Sequence, residues 1–579
     1  MTVSSPEWST RTFGNEDRLP RVPVPALEDS GRRFLEWCAP LLTPEELAET
    51  EAALAEFLAG PGPELQAALE EYDRSPGVHS WLDTFWPYRY LGRRDRIALN
   101  ANFFFLFQDS PLGQVERAAE LTASAVDYKL KLDEELVPPV LVRGGPQSMV
   151  QHKYLFSATR IPGGLLDTAR TRYPSPERHI VVFSKGTPFR LDVLAEDGRP
   201  YSAEQIADGL RAILKDDHGT DVSAGHFTTK ARAEWAATRQ ALLDAGNAAA
   251  LETVETALFC LCLDDFTPSN ALEAGDRLLY GDNRWYDKAV SLVVFEDGTA
   301  GINVEHCELD GTTILGFTDA LLSGSRAPRE GAEGVPGHEV VEFTLTDALR
   351  EDARAAGAAF RAYADATATQ TVSFDFGANR AKELKMSPDA FAQMAYQLAH
   401  RRAKGLTGAT YESIATRQFR NGRTEAMRVV TPEVVRFADV LTDANASADE
   451  KREAFRAAAA KHVSRAKECQ AGDAPEQHLW ELQLIGKRRG DTSVAALYTS
   501  PGWLKMRDDY LSTSSAPSVN IQYFGFGSTS PQCIGIAYVL LPDRWNIYLS
   551  TPKHVSAEMH RFADELAVAV RELQELLAE

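Results

Sequence analysis

The 579-residue chain is too long for a single hydrophobic core, and its 44% apolar content is that of an ordinary globular protein. Lys and Arg number 61 against 83 Asp and Glu, a net charge of −22 that argues against nucleic acid or an anionic membrane as the main partner. Six scattered cysteines (Cys38, Cys260, Cys262, Cys307, Cys469, Cys533) read most simply as reduced thiols in a cytoplasmic protein. Met1 to Pro20 lacks an apolar signal core, and no segment approaches the roughly 18 apolar residues of a spanning helix. The Ala, Arg and Asp content points to a GC-rich bacterial genome.

In chain order, residues 1–18 read as a disordered N-terminus. Leu19-Pro20-Arg21-Val22-Pro23-Val24-Pro25 cannot be helix interior and reads as extended chain. Thr43-Pro44-Glu45-Glu46 starts a helix with a cap, an N1 proline and acids in the first turn. Trp81, Phe85, Trp86, Tyr88, Tyr90 and then Phe103 to Phe107 read as core rings. Strands are predicted over His179–Phe183, Leu191–Leu194, Leu258–Leu263, Val290–Phe295 and Gly301–Val304. Helices are predicted over Ala203–Lys215, Lys230–Asn247 and from Ser387-Pro388-Asp389 to about Ala403. Gly324–Gly337 reads as a linker or surface loop. The tail has strands near Asn520–Tyr523, Ile534–Leu541 and Asn546–Leu549, then an amphipathic helix from about Ser556.

Glu296-Asp297-Gly298-Thr299-Ala300 joins two of these strands as a hairpin and puts His306 just past the second. There the sequence is His306-x-x-x-Asp310-Gly311. A histidine at a strand end can be a general base, and Asp310 can lock the turn that aims the ring. A Walker loop, a dinucleotide fingerprint, Gly-x-Ser-x-Gly and a metal-spaced His/Cys cluster are all missing from the sequence. Phe376–Lys385 is basic and leads into the helix start at Ser387, which allows a phosphate site or a solvated loop. Leu511–Pro517 is hydroxyl-rich and allows an oxyanion donor or a plain turn.

The order of these blocks resembles the choline/carnitine O-acyltransferase family over essentially the whole chain. The blocks are Arg160-Ile161-Pro162-Gly163, Cys262-Leu263-Asp264-Asp265, Asn283-Arg284-Trp285-Tyr286-Asp287-Lys288 and His306-x-x-x-Asp310-Gly311. They continue with Ser387-Pro388-Asp389-Ala390-Phe391, Tyr411-Glu412-Ser413, Gly422-Arg423-Thr424 and Ser512-Thr513-Ser514. The resemblance implies an α/β fold of two chloramphenicol-acetyltransferase-like domains with the active-site tunnel at their interface. The implied domains are 19–75 plus 345–579, and 76–344 carrying the catalytic histidine. His306 matches the base that lets an acceptor hydroxyl attack an acyl thioester directly, and Ser514 matches the oxyanion donor. Asp310 and Arg423 match a pair that supports the catalytic loop. Coenzyme A is then substrate, with no permanently bound cofactor and no metal, and the protein is expected to be a monomer.

Two departures from the family shape the expected substrates. Of two lysines placed near the 3′-phosphate of coenzyme A, the matching positions are Ala378 and Lys382. Arg380 and Lys385 stand nearby, with Asp389 at the following helix start. A carrier-protein phosphopantetheine arm, which has no 3′-phosphate, is the alternative donor, and a non-catalytic acyl-thioester-binding protein is the other alternative. On the acceptor side Tyr411, Thr424, Ser512 and Phe524 are retained. The arginine that holds the carnitine carboxylate is replaced by Gln477, so weak use of L-carnitine is expected unless a cation such as His478 substitutes. Gln522 fills a chain-length position in the acyl pocket and favours a short or polar acyl group.

Overall fold

The hairpin expected around Asp297-Gly298 forms, with Val290–Val294 and Ala300–Glu305 antiparallel and Ile302 opposite Leu292. Gly298 sits at φ +86°, and a Cβ there would lie 2.1 Å from the Leu112 carbonyl oxygen, so the turn requires glycine twice over. The computed structural model describes residues 7–96 and 101–578. It divides into two compact units. The first comprises Met1–Asp17, Trp86–Thr367 and Ala516–Gly527; the second comprises Arg18–Phe85, Ala368–Ser515 and Ser528–Glu579.

The first unit holds an eight-stranded mixed sheet. Its order is His338–Val340, Thr187–Asp192, His179–Ser184, Cys260–Leu263, Val290–Val294, Ala300–Glu305, Asn102–Phe107, Ile521–Phe526. Cys260–Leu263 is parallel to both neighbours and wholly buried, which is why it reads as an unbroken apolar run. Asn102–Phe107 is equally buried, so the phenylalanines read as core rings are core and are carried on a central strand. Of the Leu191–Leu194 run only Leu191 and Asp192 belong to a strand, Thr187–Asp192, which starts directly after the turn at Lys185 and Gly186. The helix expected over 230–247 is Arg232–Asp244, followed after Gly246 (φ +90°) by a second helix, Ala248–Thr256.

The second unit holds a six-stranded sheet in the order Thr367–Phe374, Trp545–Pro552, Ile534–Leu540, Leu511–Ser515, Thr410–Ala415, Thr424–Arg428. Leu511–Ser515 is not a turn. It is a central strand parallel to both neighbours. The Thr513 hydroxyl tolerates burial because it is satisfied: Oγ1 donates to the Tyr411 carbonyl (2.8 Å) and accepts from Gln393 Nε2 (3.0 Å). The helix Pro388–Lys404 is capped by Ser387 and stopped by left-handed Gly405, and it packs against Ser556–Ala578.

The boundaries differ from the expected ones in four places. Residues 76–85 belong to the second unit, because Trp81 Nε1 donates to the Pro23 carbonyl (3.0 Å) and Thr84 Oγ1 to Glu481 (3.1 Å). The helix Asp347–Asp365 belongs to the first unit, where Gly357 lies directly on the His226 ring. Residues 516–527 also belong to the first unit and supply its edge strand. Residues 7–18 are ordered rather than disordered. Thr12 is buried with its Oγ1 on the Val137 carbonyl (2.6 Å), and Glu16 accepts from Ser148 Oγ (2.9 Å). Residues 1–6 of that expected segment lie outside the described residues. The Gly324–Gly337 segment is a loop tied down by Arg326 on Glu120 (2.9 Å) and Gln205 on the Ala332 carbonyl (2.9 Å). Among the described residues no helix is long and apolar enough to cross a membrane.

Candidate active site

His306 follows the strand Ala300–Glu305, and its own N–H donates to the Ala101 carbonyl (3.1 Å). The ring is about one-third exposed and lies between Tyr90 (5.0 Å between centroids) and Phe103 (5.2 Å, edge-on). Its Nδ1 is 2.7 Å from the Leu309 carbonyl oxygen. A carbonyl can only accept, so Nδ1 carries the proton and the lone pair of the neutral ring is on Nε2. Asp310 Oδ1 is 3.6 Å from Nδ1, too far for a good hydrogen bond.

Asp310 is buried and begins the helix Gly311–Leu322. It is gripped by Gln151, a residue without any sequence signal, which sits in the 3₁₀ turn Val150–Tyr154. Gln151 Nε2 donates to Asp310 Oδ2 (2.7 Å), and its Oε1 accepts from the Asp310 backbone N–H (2.9 Å) and Thr313 Oγ1 (2.7 Å). On the other side of His306, Glu305 is buried, accepts the Cys307 N–H (3.2 Å) and pairs with Arg160 (3.3 Å). Arg160 also holds Asp167 (2.7 Å), which in turn holds Arg232 (2.6 Å), and Arg232 pairs with Asp287 (2.9 Å). Burial drives the Asp167 carboxyl up, but Arg232 and Arg160 outweigh it and hold the group below the usual carboxylate range. Farther along the sheet Arg284 makes a bidentate pair with Asp264 (2.7 and 2.8 Å). The Arg160, Asp264 and Asn283–Lys288 blocks are therefore braces of the sheet that ends in His306.

Phe524 is buried on the edge strand Ile521–Phe526, edge-on to Phe103 (6.0 Å) and Phe105 (5.5 Å). Gln522, two residues earlier, lies where the pairing with Asn102–Phe107 shifts register, and it donates to the Phe107 carbonyl (2.7 Å) and Asp109 (3.2 Å). It borders a cleft of about 340 Å³ with Leu106, Asp109, Arg117, Asp297 and Thr299.

The remaining expected residues lie in the second unit. Tyr411 pairs in register with Arg428 and Ser512, and Thr424 with Ala415, so Tyr411 and Thr424 stand at opposite ends of one strand pair. Arg423 is buried, and its carbonyl accepts from the Thr416 N–H (3.0 Å). Gln477 is buried and donates to the Thr424 carbonyl (3.0 Å). His478 cannot serve as the substituting cation. It is fully buried between Ser30 Oγ (2.6 Å) and Gln66 Oε1 (2.7 Å), and burial pulls its pKa down to about 3. Ser514 is half-buried on the strand Leu511–Ser515.

Arg380 lies in the short helix Ala378–Glu383 and is engaged by Gln574 (2.9 Å) and Glu383 (2.9 Å). Lys382 and Lys385 are exposed. Asp389 accepts from Tyr538 OH (2.5 Å) and lies close to Glu412 and His462. These three offer ligand atoms within 4.8 Å of one another, as a metal site would. His462 Nε2 is, however, 2.7 Å from Glu412 Oε2, and Tyr538 occupies Asp389, so the cluster shares protons among its own members. Burial first, and then Asp389, push the Glu412 carboxyl up to about 8.

A model of the choline/carnitine O-acyltransferase family matches residues 22–568. The chain belongs to that family. Mitochondrial carnitine O-palmitoyltransferase 2 of Rattus norvegicus is 32% identical over 581 residues, covering 92% of this chain and 88% of its own. Carnitine O-acetyltransferase of Homo sapiens is 29% identical, covering 98% of this chain and 95% of its own. Among solved structures, a trichothecene 15-O-acetyltransferase from Fusarium sporotrichioides aligns over 83% of this chain and 92% of its own, with 11% identity and a TM-score of 0.36. As a member of the choline/carnitine O-acyltransferase family the chain is an O-acyltransferase, and its two units are mixed α/β sheets with helices.

Proposed function

We propose that this acyltransferase moves a short or polar acyl group from a coenzyme A thioester to the hydroxyl of a small acceptor, with His306 as general base. The observation that carries the reading is the 2.7 Å contact of Nδ1 with the Leu309 carbonyl, which leaves Nε2 as the basic nitrogen. Nε2 takes the hydroxyl proton as the oxygen attacks the thioester carbon. As the carbon–sulfur bond breaks, the imidazolium returns that proton to the departing thiolate. No acyl-enzyme is needed. Ser514 is the donor to the developing oxyanion, and Asp310 and Arg423 support the catalytic loop. Lys382, Arg380, Lys385 and Asp389 form the donor side. Tyr411, Thr424, Ser512, Gln477 and Phe524 form the acceptor side, with Gln522 at the acyl chain.

Gln477 bears on which acceptor. Its amide is neutral and its NH₂ is already on the Thr424 carbonyl, so an acceptor carboxylate gains no guanidinium-strength contact from it. Amino alcohols lacking a carboxylate are therefore the favoured acceptors over L-carnitine. A carrier-protein donor is the second reading. It is favoured by the engagement of Arg380 with Glu383 and Gln574, which leaves less positive charge for a 3′-phosphate.

The test is thiol release from acetyl-coenzyme A, wild type beside His306→Ala, with L-carnitine, choline and a panel of amino alcohols. The expected loss in His306→Ala is on the order of 10²–10⁴-fold. Unchanged release in that variant overturns the assignment of the base. Transfer from an acyl carrier protein, with none from acetyl-coenzyme A, moves the donor to the second reading.

A further inference from the structure

We infer that Gln151 is a positioning residue that sets the ring orientation and tautomer of His306 by clamping the Leu309–Asp310 turn. This rests on the reading of His306 as the base. The geometry is specific. Gln151 is 4% exposed, and all three of its short contacts go to the same turn: the Asp310 carboxylate, the Asp310 N–H and the Thr313 hydroxyl. That turn carries the Leu309 carbonyl, the acceptor that keeps the proton on Nδ1. It also carries the Asp310 carboxylate 3.6 Å from the same nitrogen. The amide matches the turn because it presents a donor to an anion and an acceptor to two donors. No other uncharged side chain of this length does both.

Each polarity of the amide can be removed separately. Gln151→Met keeps volume and loses all three contacts. It leaves the Asp310 N–H and the Thr313 hydroxyl without their acceptor and frees the turn to shift. Gln151→Glu keeps an acceptor for both donors but sets a second carboxylate oxygen against Asp310 Oδ2, where the amide nitrogen now lies at 2.7 Å. The two carboxylates then either share a proton or repel, and the added negative charge beside the ring favours imidazolium.

The experiment reads the ring directly. The protein is labelled with ¹⁵N-histidine, and the His306 signals among those of the 12 histidines are assigned by their loss in His306→Ala. Wild type should show the Nδ1–H tautomer. Gln151→Met should show a mixture of tautomers, and Gln151→Glu an upward shift of the His306 titration. With acetyl-coenzyme A and the best acceptor from the panel above, kcat should fall on the order of 10- to 100-fold in Gln151→Met with KM little changed, as expected when a group is misplaced rather than lost. A purely structural role would lower the unfolding temperature and leave tautomer and titration as in wild type. That outcome in either folded variant overturns the inference, and Gln151→Glu decides it alone if Gln151→Met does not fold. If His306→Ala keeps full turnover, the reading of the base fails while the tautomer measurement still judges the clamp.

Discussion

Asp167→Asn tests the buried charge network behind the strand that leads to His306. Asp167 is fully buried and accepts four hydrogen bonds. Oδ2 takes Arg160 Nε (2.7 Å) and Arg232 Nε (2.6 Å), and Oδ1 takes Arg94 Nη2 (2.5 Å) and the Gly163 N–H (2.9 Å). An asparagine has one acceptor oxygen, so whichever way the amide turns, an NH₂ faces two donors. Two hydrogen bonds to charged or backbone donors are lost at about 1.5–3 kcal/mol apiece, or about 3–6 kcal/mol together. Breaking a buried ion pair from one side gives a similar figure, about 3–5 kcal/mol. At about 2–4 °C per kcal/mol, the unfolding transition of the first unit should fall by roughly 6–24 °C. Differential scanning calorimetry with tryptophan fluorescence would measure it. The variant should also lose part of the wild type's acid sensitivity. A carboxylate held below its unfolded value stabilises fully above that value and loses its contribution as pH falls through the folded one. A transition within about 2 °C of wild type would refute the view that these charges brace the strand, since even one lost kcal/mol moves it that far.

Further outcomes follow from burial elsewhere. His478 is neutral when folded and has a folded pKa of about 3 against 6.5 ordinarily. The unfolded chain therefore takes up a proton first as pH falls below 6.5, and stability declines from there towards pH 3. Chemical denaturation of His478→Gln across pH 4–7 should show a shallower acid decline than wild type, and an equal slope would exclude His478 as its source. All six cysteines are buried, with Cys38, Cys260 and Cys533 pushed up to about 12 by burial and Cys307, beside His306, also raised. Ellman's reagent should find no rapidly reacting thiol in the native protein and six after denaturation. A fast native thiol would show that one of these sites opens readily.

Much of the first sheet can be read from residues, because its hairpin combines apolar strands with an Asp-Gly turn that only a left-handed glycine satisfies. His306 is legible for the same reason: the turn fixes where the strand ends. Leu511–Ser515 is opaque because its hydroxyls look like loop chemistry. What makes it a strand is a Gln393 amide 120 residues away and a neighbouring carbonyl. Asn102–Phe107 shows no alternation because both its faces are buried, so it cannot be told from a generic aromatic cluster. Gln151 leaves no trace in sequence, since a lone amide has neither period nor charge, and its role exists only once the Asp310 turn closes on it. Gln477 and His478 are adjacent in sequence and look alike as polar candidates. Both are buried, and only their partners separate a side chain on a strand carbonyl from one sealed between Ser30 and Gln66.

The edge strand Ile521–Phe526 has a consequence for how the protein is made. Its partner Asn102–Phe107 leaves the ribosome more than 400 residues earlier, as the length of the intervening chain requires. The three helices Leu27–Cys38, Pro44–Ala59 and Gly62–Asp73 likewise belong to a unit whose sheet strands all come after Thr367. Neither half of the enzyme can be completed during synthesis of the other, and no single cut yields either one whole. Nascent chains therefore carry an uncovered, phenylalanine-rich strand edge through most of translation, a stretch in which they depend on chaperones or on speed to avoid pairing with one another.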